Sequence, residues 1–270
     1  MDNRPIGFFD SGIGGLTSIP YVMKKLPEER IIFFGDTARA PYGPKSADTI
    51  QHFSLQIAHF LKNHNVKMIV IACNTVSATC LEYLRRVYPD IPIIGVISPT
   101  ARVVSKRCAP GASVGVIATS VTVKSGAYEK KIKALRPDLQ VHSAACPAFV
   151  PLIEEGIIDN EIMRLTIKYY LDEFLRRYDI TDLVLGCTHY PLISDEILRI
   201  YPHLRIISSS MEAANAVELE LKKRDMLSSA RSENHIFVAS DLSAPFLQMI
   251  HRISEGKKEI ADIHFYNLDL

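Results

Sequence analysis

Short aliphatic and β-branched runs recur along this chain, each closing on a small polar or glycine-bearing turn and followed by a longer stretch with apolar residues three and four apart. Continuous apolar runs need cover on both faces, and their alternation with one-sided helices is the pattern of a parallel sheet with crossover helices. The spacing predicts strands over Ile6 to Asp10, Ile31 to Gly35, Met68 to Ala72, Ile93 to Val96, Val114 to Ala118, Val141 to Ala144, Asp182 to Gly186, Ile206 to Ser208 and Ile236 to Ala239. One-sided helices are predicted over Ala47 to Asn63 and Asn160 to Tyr178. The expected class is α/β, with mainly parallel sheets flanked by helices.

Charge bounds what such a fold acts on. With 31 Lys and Arg against 30 Asp and Glu, the net charge is +1, too small a field to attract nucleic acid or an anionic membrane as the main partner. The longest apolar stretches, Met68 to Cys73 and Ile91 to Ile97, fall far short of the roughly 20 residues that cross a bilayer. The opening Met1-Asp2-Asn3-Arg4 lacks a basic region followed by an apolar core, so a cytoplasmic location is expected. Cysteines stand at positions 73, 80, 108, 146 and 187, an odd number without a C-x-x-C pair. Free thiols are expected, with no disulfide framework, dithiol redox motif or metal site.

Ligands of open α/β sheets gather beyond the carboxyl ends of the strands, where the N–H groups of the next helix face outward. The polar residues at those ends are Asp10-Ser11, Asp36, Cys73-Asn74-Thr75, Thr119 and Cys187-Thr188-His189. A thiol just before a helix feels the positive end of its dipole, which lowers its pKa from about 8.5 toward neutrality. Cys73 and Cys187 meet that description. Cys80 falls within a helical pattern, and Cys108 and Cys146 have no polar cluster beside them; these three read as small buried hydrophobes.

Asp10-Ser11-Gly12-Ile13-Gly14-Gly15 matches no nucleotide-binding loop, and its glycines suit a tight strand-to-helix turn whose N–H groups can hold a carboxylate. Asp36 opens a loop through Pro41, Tyr42, Gly43 and Pro44, in which prolines fix the backbone and Tyr42 can cover a pocket. Glu154 and Glu155 end a short helical run, where Glu155 reads as a surface charge. An internal echo pairs Gly7 to Gly12 with Gly115 to Ser120, and Ile71 to Thr75 with Leu185 to His189, suggesting two similar lobes.

Phe9 to Gly15, Gly35 to Gly43, Ala72 to Thr75 and Gly186 to Pro191 occur in the order of the signatures of the cofactor-independent aspartate/glutamate racemase superfamily, and they resemble its glutamate racemase family most. The resemblance runs along nearly the whole chain. It implies two pseudo-symmetric lobes, residues 1–97 with 208–270 and residues 98–207, and glutamate held in the cleft between them. It implies that Cys73 and Cys187 are the acid/base pair, Cys73 acting on the D isomer and Cys187 on the L isomer. It also implies that Asp10, Ser11, Pro41, Tyr42, Gly43, Asn74, Thr75, Thr119, Thr188 and His189 contact the substrate or tune the thiols, with Asp36 and Glu154 as further candidates. The chain departs from the family at Ser208-Ser209-Ser210, where Asp-Ser or Asn-Ser is common; that position is expected to bear on the hinge more than on the chemistry.

The expected reaction needs no cofactor. No lysine stands out as a Schiff-base site, and two thiols flanking Cα can act in turn, one as thiolate taking the proton while the other delivers a new one. Asp10 and His189 are the expected proton partners, each beside a different thiol. Such an enzyme supplies D-glutamate for bacterial peptidoglycan and is expected to be a homodimer. An aspartate racemase and a non-catalytic two-lobed amino-acid-binding protein are the alternatives.

Overall fold

The computed structural model describes residues 1–231, 233–254 and 261–268. Its strands are β1 (Ile6–Asp10), β2 (Ile31–Gly35), β3 (Met68–Ile71), β4 (Ile93–Gly95), β5 (Ser113–Ala118), β6 (Gln140–Ala145), β7 (Asp182–Gly186), β8 (Arg205–Ser208), β9 (His235–Ala239) and β10 (Ala261–Phe265). They form two sheets, ordered β10-β9-β2-β1-β3-β4 and β6-β5-β7-β8, in which every described pairing is parallel. The expected α/β class is what the chain adopts.

One strand order occurs twice. β2-β1-β3-β4 in the first sheet has the topology of β6-β5-β7-β8 in the second, so β1 corresponds to β5 and β3 to β7. These are the pairs linked by the sequence echo.

Helices cover both faces of each sheet, which is why the central strands read as unbroken apolar runs. Successive residues face opposite cores. Phe9, Phe34 and Ile69 pack with Ile57 and Leu61 of the helix Ala47–Asn63, while Phe8, Phe33 and Val70 pack with Val217 and Leu221 on the other side. In the second sheet Ile117, Leu183 and Leu185 face Leu171, and Val116 and Val184 face Ile132.

Both predicted helices form. Ser46 caps Ala47–Asn63 by accepting from Thr49 N at 3.2 Å, and Asn160 caps Glu161–Tyr178 by accepting from Met163 N at 3.1 Å. β10 has no counterpart in the sequence expectations. It lies at the sheet edge, where Ile263 and Phe265 remain exposed, so it lacks the buried run that marks the other strands. No helix among the described residues is long and apolar enough to cross a membrane.

The chain leaves the first sheet after β4 and returns after β8. Ser208 closes β8, in register with Leu185, and the following helix Ser209–Lys223 sends Ala214, Val217 and Leu221 into the first sheet's core. The expected lobe limit at residue 270 lies outside the described residues.

Candidate active site

β1, β3, β5 and β7 end on the same side, and the residues following them meet. Ser11, Cys73, Asn74, Thr75, Thr119, Cys187, Thr188 and His189 line one small cavity of about 20 Å³, joined by Pro41, Tyr42 and Gly43 from the loop after β2 and by Glu154 from the helix Phe149–Glu154. Ala40 and Val150, absent from the sequence expectations, complete the wall. Nothing in an isolated short apolar stretch marks such residues as cavity lining. All five cysteines are free and buried, and only Cys73 and Cys187 line this cavity.

The two thiols differ in their surroundings. Cys73 caps the helix Asn74–Thr79, and its Sγ lies 3.4 Å from Ser11 Oγ. The cap does not lower its pKa as expected from the dipole. Complete burial, followed by the charge of Asp10, pushes the thiol up to about 12, outweighing the Ser11 hydrogen bond. Cys187 is not followed directly by an α-helix: Thr188 and His189 lead into a 3-10 turn, Tyr190–Ile193. Its Sγ lies 3.9 Å from His189 Nδ1. Both thiols are buried, but their partners differ: Cys73 meets the Ser11 hydroxyl and Cys187 an imidazole.

His189 is clamped on its other side by Glu154, whose Oε1 lies 3.0 Å from Nε2. Burial opposes a charge on the ring, but the contacts with Cys187 and Glu154 and the field of Asp10 outweigh it and hold the imidazolium up to about 10. Close approach of the β1 turn requires glycine at position 14: a Cβ there would fall 2.4 Å from both His189 Nδ1 and Thr188 Oγ1.

Asp10 and Asp36 stand behind the wall and do not line it. Asp10 accepts from Gly12 N at 3.1 Å and from Thr188 Oγ1 at 3.3 Å. Burial raises its carboxyl to about 6, and its field reaches both Cys73 and His189, so it serves both halves of the site. Asp36 is an anchor. It accepts from Tyr42 OH, from Arg39 Nε at 2.8 Å and from Ser240 Oγ at 2.7 Å, fixing the loop that covers the cavity.

Sequence reasoning missed Tyr128 and placed Ser209 at the hinge alone. Tyr128 OH donates to Asn74 Oδ1 at 2.6 Å, and Asn74 Nδ2 donates to Ser209 Oγ at 3.0 Å. The serine row thus reaches the site itself and is more than a hinge. Thr75 and Thr119 pair across the sheets at 2.9 Å.

The sequence profile of the family described as Asp/Glu/Hydantoin racemase matches residues 20–217. This chain belongs to that racemase family. A glutamate racemase from Geobacter metallireducens is 43% identical over 271 residues, covering 100% of this chain and 98% of that protein. One from Persephonella marina is 42% identical over 265 residues, covering 98% and 97%. The crystal structure of a glutamate racemase from Francisella tularensis in complex with D-glutamate superposes with a TM-score of 0.90 at 39% identity, covering 100% of this chain and 99% of that one.

The raised pKa of His189 has a consequence for stability. A folded-state value near 10 against an ordinary 6.5 means its contribution is fully present below about 6.5 and is lost as pH climbs through about 10. The urea midpoint of the parent should therefore move toward that of His189→Asn as pH rises between those limits. A gap that widens with pH would contradict a protonated native imidazole.

Proposed function

We propose that this chain interconverts L- and D-glutamate by two-base proton transfer at Cα, with no bound cofactor. The observation that carries this reading is that two free thiols, from equivalent strand ends of two similarly ordered sheets, line a single cavity.

In the resting pocket Cys73 keeps its proton and is the acid, while Cys187, with His189 beside it, is the base. L-glutamate loses its Cα proton to Cys187 on one face, and Cys73 delivers its own proton to the other. The product is D-glutamate, and the two cysteines have exchanged states; D-glutamate is converted by the reverse transfer, with Cys73 as base. Ser11, Asn74, Thr75, Thr119 and Thr188 hold the substrate and spread the charge that develops next to its carboxylate. Pro41, Tyr42 and Gly43 cover it. Asp10 is the proton partner behind Cys73, and Glu154 orients His189.

The cavity is small, about 20 Å³, and encloses what it binds. The first lobe is residues 1–97 with the described residues from 208 onward, the second is residues 98–207, and the amino acid enters the cleft between them. Closure then excludes water from the carbanion. The enzyme acts in the cytoplasm as a homodimer, without nucleic-acid or membrane partners, and its product supplies peptidoglycan.

Circular dichroism of L-glutamate with metal-free, pyridoxal-free protein should decay to zero, with deuterium appearing at Cα in heavy water. Binding with no exchange at Cα would sink the reading in favour of a binding protein. Faster turnover of D-aspartate than of D-glutamate would reassign the substrate.

A further inference from the structure

Asn74 lines the cavity next to Cys73, and a primary amide offers either a carbonyl or an N–H₂ group depending on a half-turn about its last torsion. The surroundings of Asn74 leave no such freedom. The β7 carbonyl of Leu185 is solely an acceptor, and Ser209 Oγ lies 3.0 Å from it, so the serine hydroxyl spends its only proton there. Ser209 can then only accept from Asn74, which must turn Nδ2 toward it. That orientation directs Oδ1 at Tyr128, whose buried phenol is held protonated, well above its usual range, and donates at 2.6 Å. The polarity of the whole chain follows from one main-chain carbonyl two residues before Cys187.

We infer that Tyr128 and Ser209 are positioning residues that lock the Asn74 amide with its nitrogen available to the substrate carboxylate, through a hydrogen-bond chain joining the Cys73 segment to the Cys187 strand. Resting on the proposed function, this inference identifies what sets the acid-binding polarity of the site. A flipped amide would present a carbonyl oxygen to an anion. Tyr128 stands on the helix Ala127–Leu135 beside the second sheet, whereas Asn74 follows β3 of the first, so the chain forms only when the two halves are together.

The test compares Tyr128→Phe, Ser209→Ala and Ser209→Thr with the parent, measuring KM and kcat for both glutamate isomers and the Kd for D-glutamate by calorimetry. Losing one hydrogen bond that fixes the amide should raise KM and Kd about tenfold in Tyr128→Phe and in Ser209→Ala, with kcat and its pH profile within about twofold of the parent. Ser209→Thr keeps the hydroxyl and should restore binding. Because both residues act through one amide, their effects should be less than additive together and vanish in an Asn74→Ala background. Parent-like KM in either single variant, or a fall in kcat at constant KM, overturns the inference. A parent protein that leaves L-glutamate optically unchanged would instead overturn the proposed function.

Discussion

Cys73→Ala and Cys187→Ala should each lower kcat/KM for racemisation by at least about 10³-fold in both directions, since each removes one of two positioned proton-transfer groups. Neither loss is rescued by the other thiols: Cys80, Cys108 and Cys146 are buried away from the cavity wall. The expected signature is one-sided. With Cys187 alone remaining, L-glutamate still meets a base on its own face and exchanges its Cα hydrogen with heavy water, while D-glutamate does not; with Cys73 alone the preference reverses. Polarimetry measures the first effect and proton NMR the second. A single-thiol variant within tenfold of the parent, or one that exchanges both isomers equally, would refute two-base chemistry.

Lys67→Met should cost about 3–5 kcal/mol of stability, as expected when one partner of a buried ion pair is removed and the other is left uncompensated. Lys67 is fully buried, and its Nζ lies 2.6 Å from Glu29 Oε2, itself buried. The ammonium also donates to Asp2 O at 2.6 Å, Met226 O at 2.7 Å and Ser228 Oγ at 3.0 Å. Ser228 N and Oγ complete the shell of Glu29 at 2.8 and 2.9 Å. The cluster ties the N-terminal residues to the segment after the helix Ser209–Lys223, just before β3 and thus at the opposite end of that strand from Cys73. Folded Lys67→Met protein should therefore retain its turnover, and the double variant Lys67→Met, Glu29→Gln should recover part of the loss. Urea denaturation gives the number; a loss below about 1 kcal/mol would show that the pair contributes little.

Much of the fold was legible because its signals are local. β1, β2 and β7 follow the predicted bounds, and the remaining predicted strands differ at their ends by a residue or so, since an apolar run covered on both faces is visible in a short window. β10 was not legible: an exposed edge strand takes its order from β9 beside it and carries no buried run of its own. The polar strand ends were legible as a class, yet their individual positions were not. Asp10 and Asp36 belong to the same class as Ser11 and Cys73 but stand behind the cavity wall. Tyr128 gave no sequence signal, because a tyrosine inside a helix is ordinary; the row Ser208-Ser209-Ser210 stood out as a departure from the family, but only the tertiary contact with Asn74 shows that Ser209 reaches the site.

The order of residues alone determined the alternation of strand and helix, the repeated strand-end motifs and the identity of the two candidate thiols, all of which depend on periodicity and turn chemistry within a few positions. Tertiary structure decided that Cys73 and Cys187 share a cavity, that burial holds Cys73 as a thiol while Cys187 gains an imidazole, and that Lys67 lies in the interior. Those properties depend on distance and desolvation among residues far apart in the chain, and neither is encoded in any one segment.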